Sequence, residues 1–300
     1  MTIVQFIDLL FQKTLVPLNN LKLKRNPRQD LFITELKTKA NKITISKNTQ
    51  LAQNQWLENI INFKKNILTQ DPKNFLQWNI IRKTMFIGNA IFILREFIYL
   101  RQNNWEKWKK AIIEKKYIYT EPYLLYPKSS GNLIHYAYHL AKFENISGKK
   151  ITDYDFIFEY GGGYGGMCLL IHNLNYKGKY IIYDFPILSA LQNFFLKMNG
   201  VEKNSFCLDN IKDIKKMIPK KGKKLFIATW SLSESPLSIR KIIYPFIKEF
   251  NAFLIGYQGQ FGEVDNCSYF ENYQKDLNKL KWWNQEIKQL KNNYYLFGFK

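Results

Sequence analysis

Apolar positions in this 300-residue chain follow two different periods. Up to about Tyr126 they recur at helical spacing, as in Trp56, Ile60, Phe63 and Ile67 or in Trp105, Trp108 and Ile112, which predicts an α-helical N-terminal region over residues 1–125. Within it, residues 1–15 read as an amphipathic helix, 22–28 as a basic connector, and Asp71-Pro72 as a break between helices. From Asp153 onward short apolar runs at 156–160, 180–183, 205–208, 224–229 and 252–257 alternate with helix-sized segments. That alternation predicts βαβ units and a mostly parallel Rossmann-like α/β sheet, with ligands bound beyond the carboxyl ends of its strands. The runs 282–287 and 294–299, joined through Lys291-Asn292-Asn293, suit an antiparallel C-terminal pair. The Rossmann-like domain is placed at residues 126–300, with the helical region before it as a cap that selects substrate.

Composition narrows the class. Apolar residues make up 46% of the chain and aromatics 16%, enough to bury a substantial core, so disorder is excluded. A formal net charge of +21 favours polyanionic partners, whether nucleic acid, anionic lipid or phosphorylated sugars. The joint richness in Lys, Asn and Ile is equally what an AT-rich genome would produce. Three dispersed cysteines and three histidines argue against a disulfide framework or a zinc cluster. Residues 1–15 lack the basic start of a signal peptide, and the apolar stretch 85–100 carries Arg95 and Glu96 and is too short to span a bilayer, so a cytoplasmic location is expected.

The chemistry sits where the first strand ends. Phe156-Ile157-Phe158 runs into Glu159-Tyr160-Gly161-Gly162-Gly163-Tyr164-Gly165-Gly166, and Met167 to Ile171 then begins a helix. Glycine is needed where the turn requires positive φ and where backbone must approach a cofactor. Gly161, Gly163 and Gly166 satisfy a dinucleotide pattern, while Glu159 with Gly161, Gly163 and Gly165 satisfies E-x-G-x-G-x-G. Charge separates the two: a dinucleotide brings a pyrophosphate, whereas S-adenosylmethionine brings a sulfonium and an ammonium, which a carboxylate at Glu159 suits. The second strand ends in Asp184, placed to bind ribose, though Phe185-Pro186 after it would equally make it a residue leading into the next helix. Asp209, after the third strand, could accept from an adenine amino group or cap a helix. The fourth strand delivers Trp230-Ser231-Leu232-Ser233-Glu234 to the same edge, which puts Trp230 beside the cofactor and Glu234 in position to act as acid or base. His135 and His139, four apart on a predicted helix, share a face; His135 is a second candidate base, and without a third ligand no metal is expected.

Taken in order, Phe158 to Gly166, Tyr183-Asp184-Phe185-Pro186 and Ser231-Leu232-Ser233-Glu234 resemble the sugar O-methyltransferase family over roughly residues 126–300. The resemblance implies a class I methyltransferase fold with S-adenosylmethionine at Glu159, Gly161, Gly163 and Asp184. It also implies a sugar hydroxyl as acceptor, on a nucleotide sugar or lipid-linked glycan, in bacterial surface-glycan synthesis. The charge would permit peripheral association with an anionic membrane surface, while no stable nucleic-acid partner is expected. A nucleic-acid methyltransferase is the first rival, favoured by charge and by Trp105 to Lys110 but lacking an N-P-P-Y-type motif. A nicotinamide-dependent reductase lacks Tyr-x-x-x-Lys, and a non-catalytic scaffold of the same fold is the remaining alternative.

Overall fold

The structure, a computed structural model, describes residues 23–45, 54–85 and 91–300. The helix expected at 1–15 lies outside them. Helix α1 (Gln29–Lys42) buries Phe32, Leu36 and Ala40 along one stripe and carries Asp30 in its first turn and Lys39 and Lys42 in its last, which complements the helix dipole. In α2 (Asn54–Thr69) the periodic Ile60, Phe63 and Ile67 are buried. Asp71 then accepts from the Lys73 amide and Pro72 opens a 3-10 turn, Pro72–Gln77, so the expected break is a tight turn. Helices α3 (Asn79–Thr84), α4 (Ile91–Gln102) and α5 (Trp105–Ala111) follow. A short antiparallel pair, Pro122–Tyr123 with Tyr126–Ser130, interrupts the helical grammar before α6 (Gly131–Ser147). Ser130 caps α6 at its start and Gly148, at φ +67°, ends it.

The sheet comprises β1 (Phe156–Tyr160), β2 (Lys179–Tyr183), β3 (Ser205–Leu208), β4 (Lys224–Thr229), β5 (Ala252–Gln258), β6 (Lys281–Glu286) and β7 (Asn293–Phe299). Between them run α7 (Gly166–Asn173), α8 (Pro186–Met198), α9 (Ile211–Met217), α10 (Leu237–Ile247) and α11 (Asn266–Asp276). The strand order is β6-β7-β5-β4-β1-β2-β3. Strands β1 to β5 pair in parallel, and β7 runs antiparallel to both β5 and β6. This is the Rossmann-like sheet with an antiparallel C-terminal strand that the alternation predicts. Its order reverses between β1 and β4, the switch point at which such sheets open a ligand crevice.

Successive strand residues point to opposite faces, and the core divides accordingly. Phe156, Phe158 and Tyr160 of β1 pack with α10 and α11 through Ile239, Ile243 and Phe270. Ile157 faces the other side, in one buried cluster with α6 to α8 and with Phe32, Phe63 and Phe75 of the N-terminal region. The pleat therefore turns Glu159 toward the face that the N-terminal helices cover.

Candidate active site

At the carboxyl ends of β1, β2 and β4 lies a cavity of about 360 Å³. Glu159, Gly161, Gly163, Asp184, Trp230, Glu234 and His135 all line it, joined by Trp56, Lys83 and Met85 of the N-terminal region. Two of the expected residues lie off its wall. Gly165, at φ +93°, caps α7 against Phe195 and Leu196. Asp209 is exposed beyond β3, and the cap of α9 is supplied by Asn210, whose side chain accepts from the Lys212 amide.

Packing dictates part of the glycine loop's composition. A Cβ on Gly161, which sits at φ +68°, would fall 2.3 Å from the Ser231 Cβ. The Ser231 hydroxyl donates to the Tyr160 carbonyl, so the loops after β1 and β4 are pressed together there. Tyr164 leaves the loop sideways into the N-terminal helices. Its ring lies 5.7 Å from Phe75 and 5.1 Å from Phe195 and is fully buried. Sequence spacing gave no sign of this anchor, since Phe75 lies far away along the chain.

Two buried carboxyl groups face the cavity. Glu159 accepts from the Tyr180 hydroxyl at 2.8 Å, and burial, reinforced by the nearby Asp184 charge, pushes its pKa up to about 8. Asp184 is held by the amides of Gly163 at 3.2 Å and Phe185 at 2.8 Å and by the Gln192 side chain at 2.9 Å. Burial outweighs those bonds and raises it to about 7. Among the described residues neither group has an ion pair. Two desolvated acids outside any ion pair form a receptor that gains from a positively charged ligand. A pyrophosphate would raise the cost of ionising Glu159 further, whereas a cationic ligand lowers it.

The opposite wall carries the groups suited to proton transfer. His135 and His139 share a face of α6, as their spacing predicts, with ring centroids 4.0 Å apart. The His135 Nδ1 lies 2.8 and 2.9 Å from the two oxygens of Glu96, a fully buried residue of α4 that also accepts from Gln289 at 3.1 Å. His139 bonds the Tyr295 hydroxyl, and burial together with His135 holds its pKa well below the usual value. Trp230 stacks on His135 at 6.0 Å, adopts φ +65°, and donates its indole N–H to Asn293 at 2.6 Å. A bulky residue in the left-handed region is strained, and here it turns the loop after β4 toward the histidines. Glu234 accepts from the Trp56 indole at 3.2 Å, and burial raises its pKa against that bond and one from Gln258. Neither Glu96 nor Trp56 was identifiable from local sequence; each reaches the site from a distant helix. Among the described residues no group of three or more His, Cys, Asp or Glu is arranged to hold a metal ion.

No protein-family model matches the chain, and no curated protein matches it. Among solved structures it is similar to a precorrin-6y C5,15-methyltransferase from Geobacter metallireducens GS-15, with 16% identity and TM-score 0.37 over 55% of this chain and 87% of the other. It is also similar to the methyltransferase domain of bacterial CtHen1-CN, with 7% identity and TM-score 0.41 over 55% and 97%. An O-methyltransferase family protein from Burkholderia thailandensis gives 8% identity and TM-score 0.36 over 69% and 71%.

Proposed function

We propose that this protein is an S-adenosylmethionine-dependent methyltransferase that modifies a sugar hydroxyl. The observation that carries the reading is the pair of buried carboxyl groups, Glu159 and Asp184, which flank the glycine loop at the switch point of the sheet and make no ion pair among the described residues. S-adenosylmethionine, when bound, supplies an electrophilic methyl group. Glu159 would accept from its ammonium and Asp184 from its ribose hydroxyls, with Trp230 on the adjacent wall.

A sugar hydroxyl is a weak nucleophile and must shed its proton as it is methylated. Glu234 and His135 are the two groups on the wall suited to take it. His135 has the more complete setting: its Nδ1–H donated to Glu96 fixes the tautomer, and the carboxylate stabilises the imidazolium as the proton arrives. Glu234, bonded to Trp56, would then orient the acceptor. Aromatic Trp56, Phe185 and Trp230 interleaved with Glu234 and Asn293 offer flat apolar faces beside hydrogen-bonding groups, which suits a sugar ring with its C–H faces and hydroxyl edges. The resemblance of the three motifs to sugar O-methyltransferases supports the same acceptor class and a place in cytoplasmic steps of surface-glycan synthesis. No described helix is long and apolar enough to cross a membrane.

Calorimetric titration with S-adenosylmethionine and separately with NADH tests the assignment. Binding of the first alone, abolished in Asp184→Ala and in Gly163→Val, is expected. Binding of NADH would overturn it, and binding of neither would favour a non-catalytic scaffold. Tritium transfer from S-adenosylmethionine to UDP-, GDP- and dTDP-hexoses then identifies the acceptor, and turnover in Glu234→Ala against His135→Gln separates the two candidate bases.

A further inference from the structure

The positive charge of the sheet domain is concentrated on one edge. The segments that lead into and open β1 to β6 (148–155, 174–179, 199–204, 218–224, 248–251 and 277–281) hold twelve lysines and four acids. The loops that leave the strands at the cavity edge (161–165, 184–185, 209–210, 230–236, 259–265 and 287–292) hold two lysines and five acids. A compositional bias toward lysine would load both edges alike, so the asymmetry is a property of this face. Eleven of the twelve lysines are exposed. The exception, Lys224, is 8% exposed and lies over the Phe250 ring at 5.9 Å. The densest run is Lys220-Lys221-Gly222-Lys223-Lys224 at the start of β4, near the middle of the sheet. Neighbouring strands sit about 4.8 Å apart, so the row extends for roughly 29 Å across the sheet, and strand twist fans it into a broad surface.

We propose that this edge docks the protein on an anionic membrane surface. Breadth and chemistry favour a bilayer over a nucleic acid. Single-stranded nucleic acid is gripped by a basic groove interleaved with stacking aromatics. Here the exposed aromatic is Phe206 on the outer strand β3, with the Lys179 ammonium 5.8 Å from its ring. A nucleic acid held on this edge would also lie the length of a five-residue strand, about 17 Å, from the cavity. A membrane needs neither groove nor proximity, and lysines near an anionic surface act additively. Docked in this way, the molecule turns its cavity away from the bilayer. If the cavity methylates a sugar as proposed above, that orientation selects a soluble acceptor such as a nucleotide sugar over a lipid-linked one.

Co-sedimentation of the full chain with sucrose-loaded vesicles tests the docking without reference to catalysis. Binding is expected to phosphatidylcholine vesicles containing 30% phosphatidylglycerol, to be lost in high salt, and to be absent with phosphatidylcholine alone. Lys220→Glu/Lys221→Glu/Lys223→Glu should weaken it roughly a hundredfold or more, at the usual contribution per lysine near an anionic surface. A control with the same charge change on the N-terminal helices, Lys42→Glu/Lys65→Glu/Lys110→Glu, should retain most of it. Circular dichroism and S-adenosylmethionine affinity check that both triple variants are folded. Absence of binding to the anionic vesicles, equal loss in the two triple variants, or tighter binding of a single-stranded oligoribonucleotide through the same lysines would overturn the proposal. A failure to bind S-adenosylmethionine in the unmodified protein would count against the methyltransferase reading and leave the docking result standing.

Discussion

Replacing Glu159 by Gln changes one proton-binding group and little else, because the amide oxygen can still accept from Tyr180 and the volume is conserved. In the unfolded chain a glutamic acid titrates at its ordinary 4.5, whereas in the folded, ligand-free protein Glu159 holds its proton up to about 8. Between those values the unfolded state binds fewer protons than the native state, so stability falls as pH rises through the window. At about 1.4 kcal/mol per pH unit, ligand-free wild type loses roughly 4 kcal/mol from this group between pH 5 and pH 9. The Gln variant lacks that loss. Urea unfolding of both proteins across this range, without S-adenosylmethionine, should show curves that nearly meet at pH 5 and diverge by several kcal/mol at pH 9, with the variant more stable. Parallel curves would refute the buried, uncompensated carboxyl on which the cofactor reading rests. A cationic ligand should reverse the penalty: binding at pH 7 should release protons, measurable by calorimetry in buffers of different ionisation heat, and the release should shrink in Glu159→Gln.

Other perturbations probe the remaining parts of the site. Gly161→Ala forces a Cβ against Ser231 at a positive φ and should destabilise the protein by about 2–3 kcal/mol in chemical unfolding; Ser231→Gly in the same chain should recover part of that loss, and strict additivity would contradict the contact. Phe75→Ala should cost about 3–5 kcal/mol and also weaken S-adenosylmethionine binding, because Tyr164 loses the ring that holds the glycine loop; unchanged affinity would show the anchor to be irrelevant to the loop. Glu96→Gln keeps shape but not charge, so methyl transfer should fall tenfold or more and its pH–rate profile should shift while cofactor affinity holds; an unaltered profile would remove Glu96 from the proton path.

Local physics made the sheet half legible. Strand β1 falls at 156–160 as expected because five consecutive residues are buried and a glycine turn ends them, and the antiparallel pair was visible in the runs flanking Lys291-Asn292. Glu159 and Asp184 could be placed because strand ends at a switch point converge. What stayed hidden depends on contacts between distant segments. Trp56 meets Glu234 across 178 residues, Glu96 meets His135 across 39, and Phe75 meets Tyr164 from another helix. Periodicity says which face of a helix is buried but not what it is buried against. Asp209 shows the converse: proximity to a strand end suggested a ligand, yet the Leu208 carbonyl is tied to the Asp184 amide and the Ser189 hydroxyl, and the chain beyond it runs out to solvent.

The buried cluster that joins Phe32, Phe63 and Phe75 to Ile157 and Leu254 sets the terms on which this protein can change. A cap that merely rests on a catalytic domain can be exchanged between relatives like a fitting. Here the segment that supplies Trp56 and Lys83 to the cavity also contributes Ile60, Phe63, Ile67, Phe75 and Trp78 to the interior beneath it, so a foreign segment would have to match the shape of α8 and Tyr164 before it could present a different cavity wall. A change in what the cavity admits is therefore expected to arise by single replacements on the rim, with the scaffold kept whole.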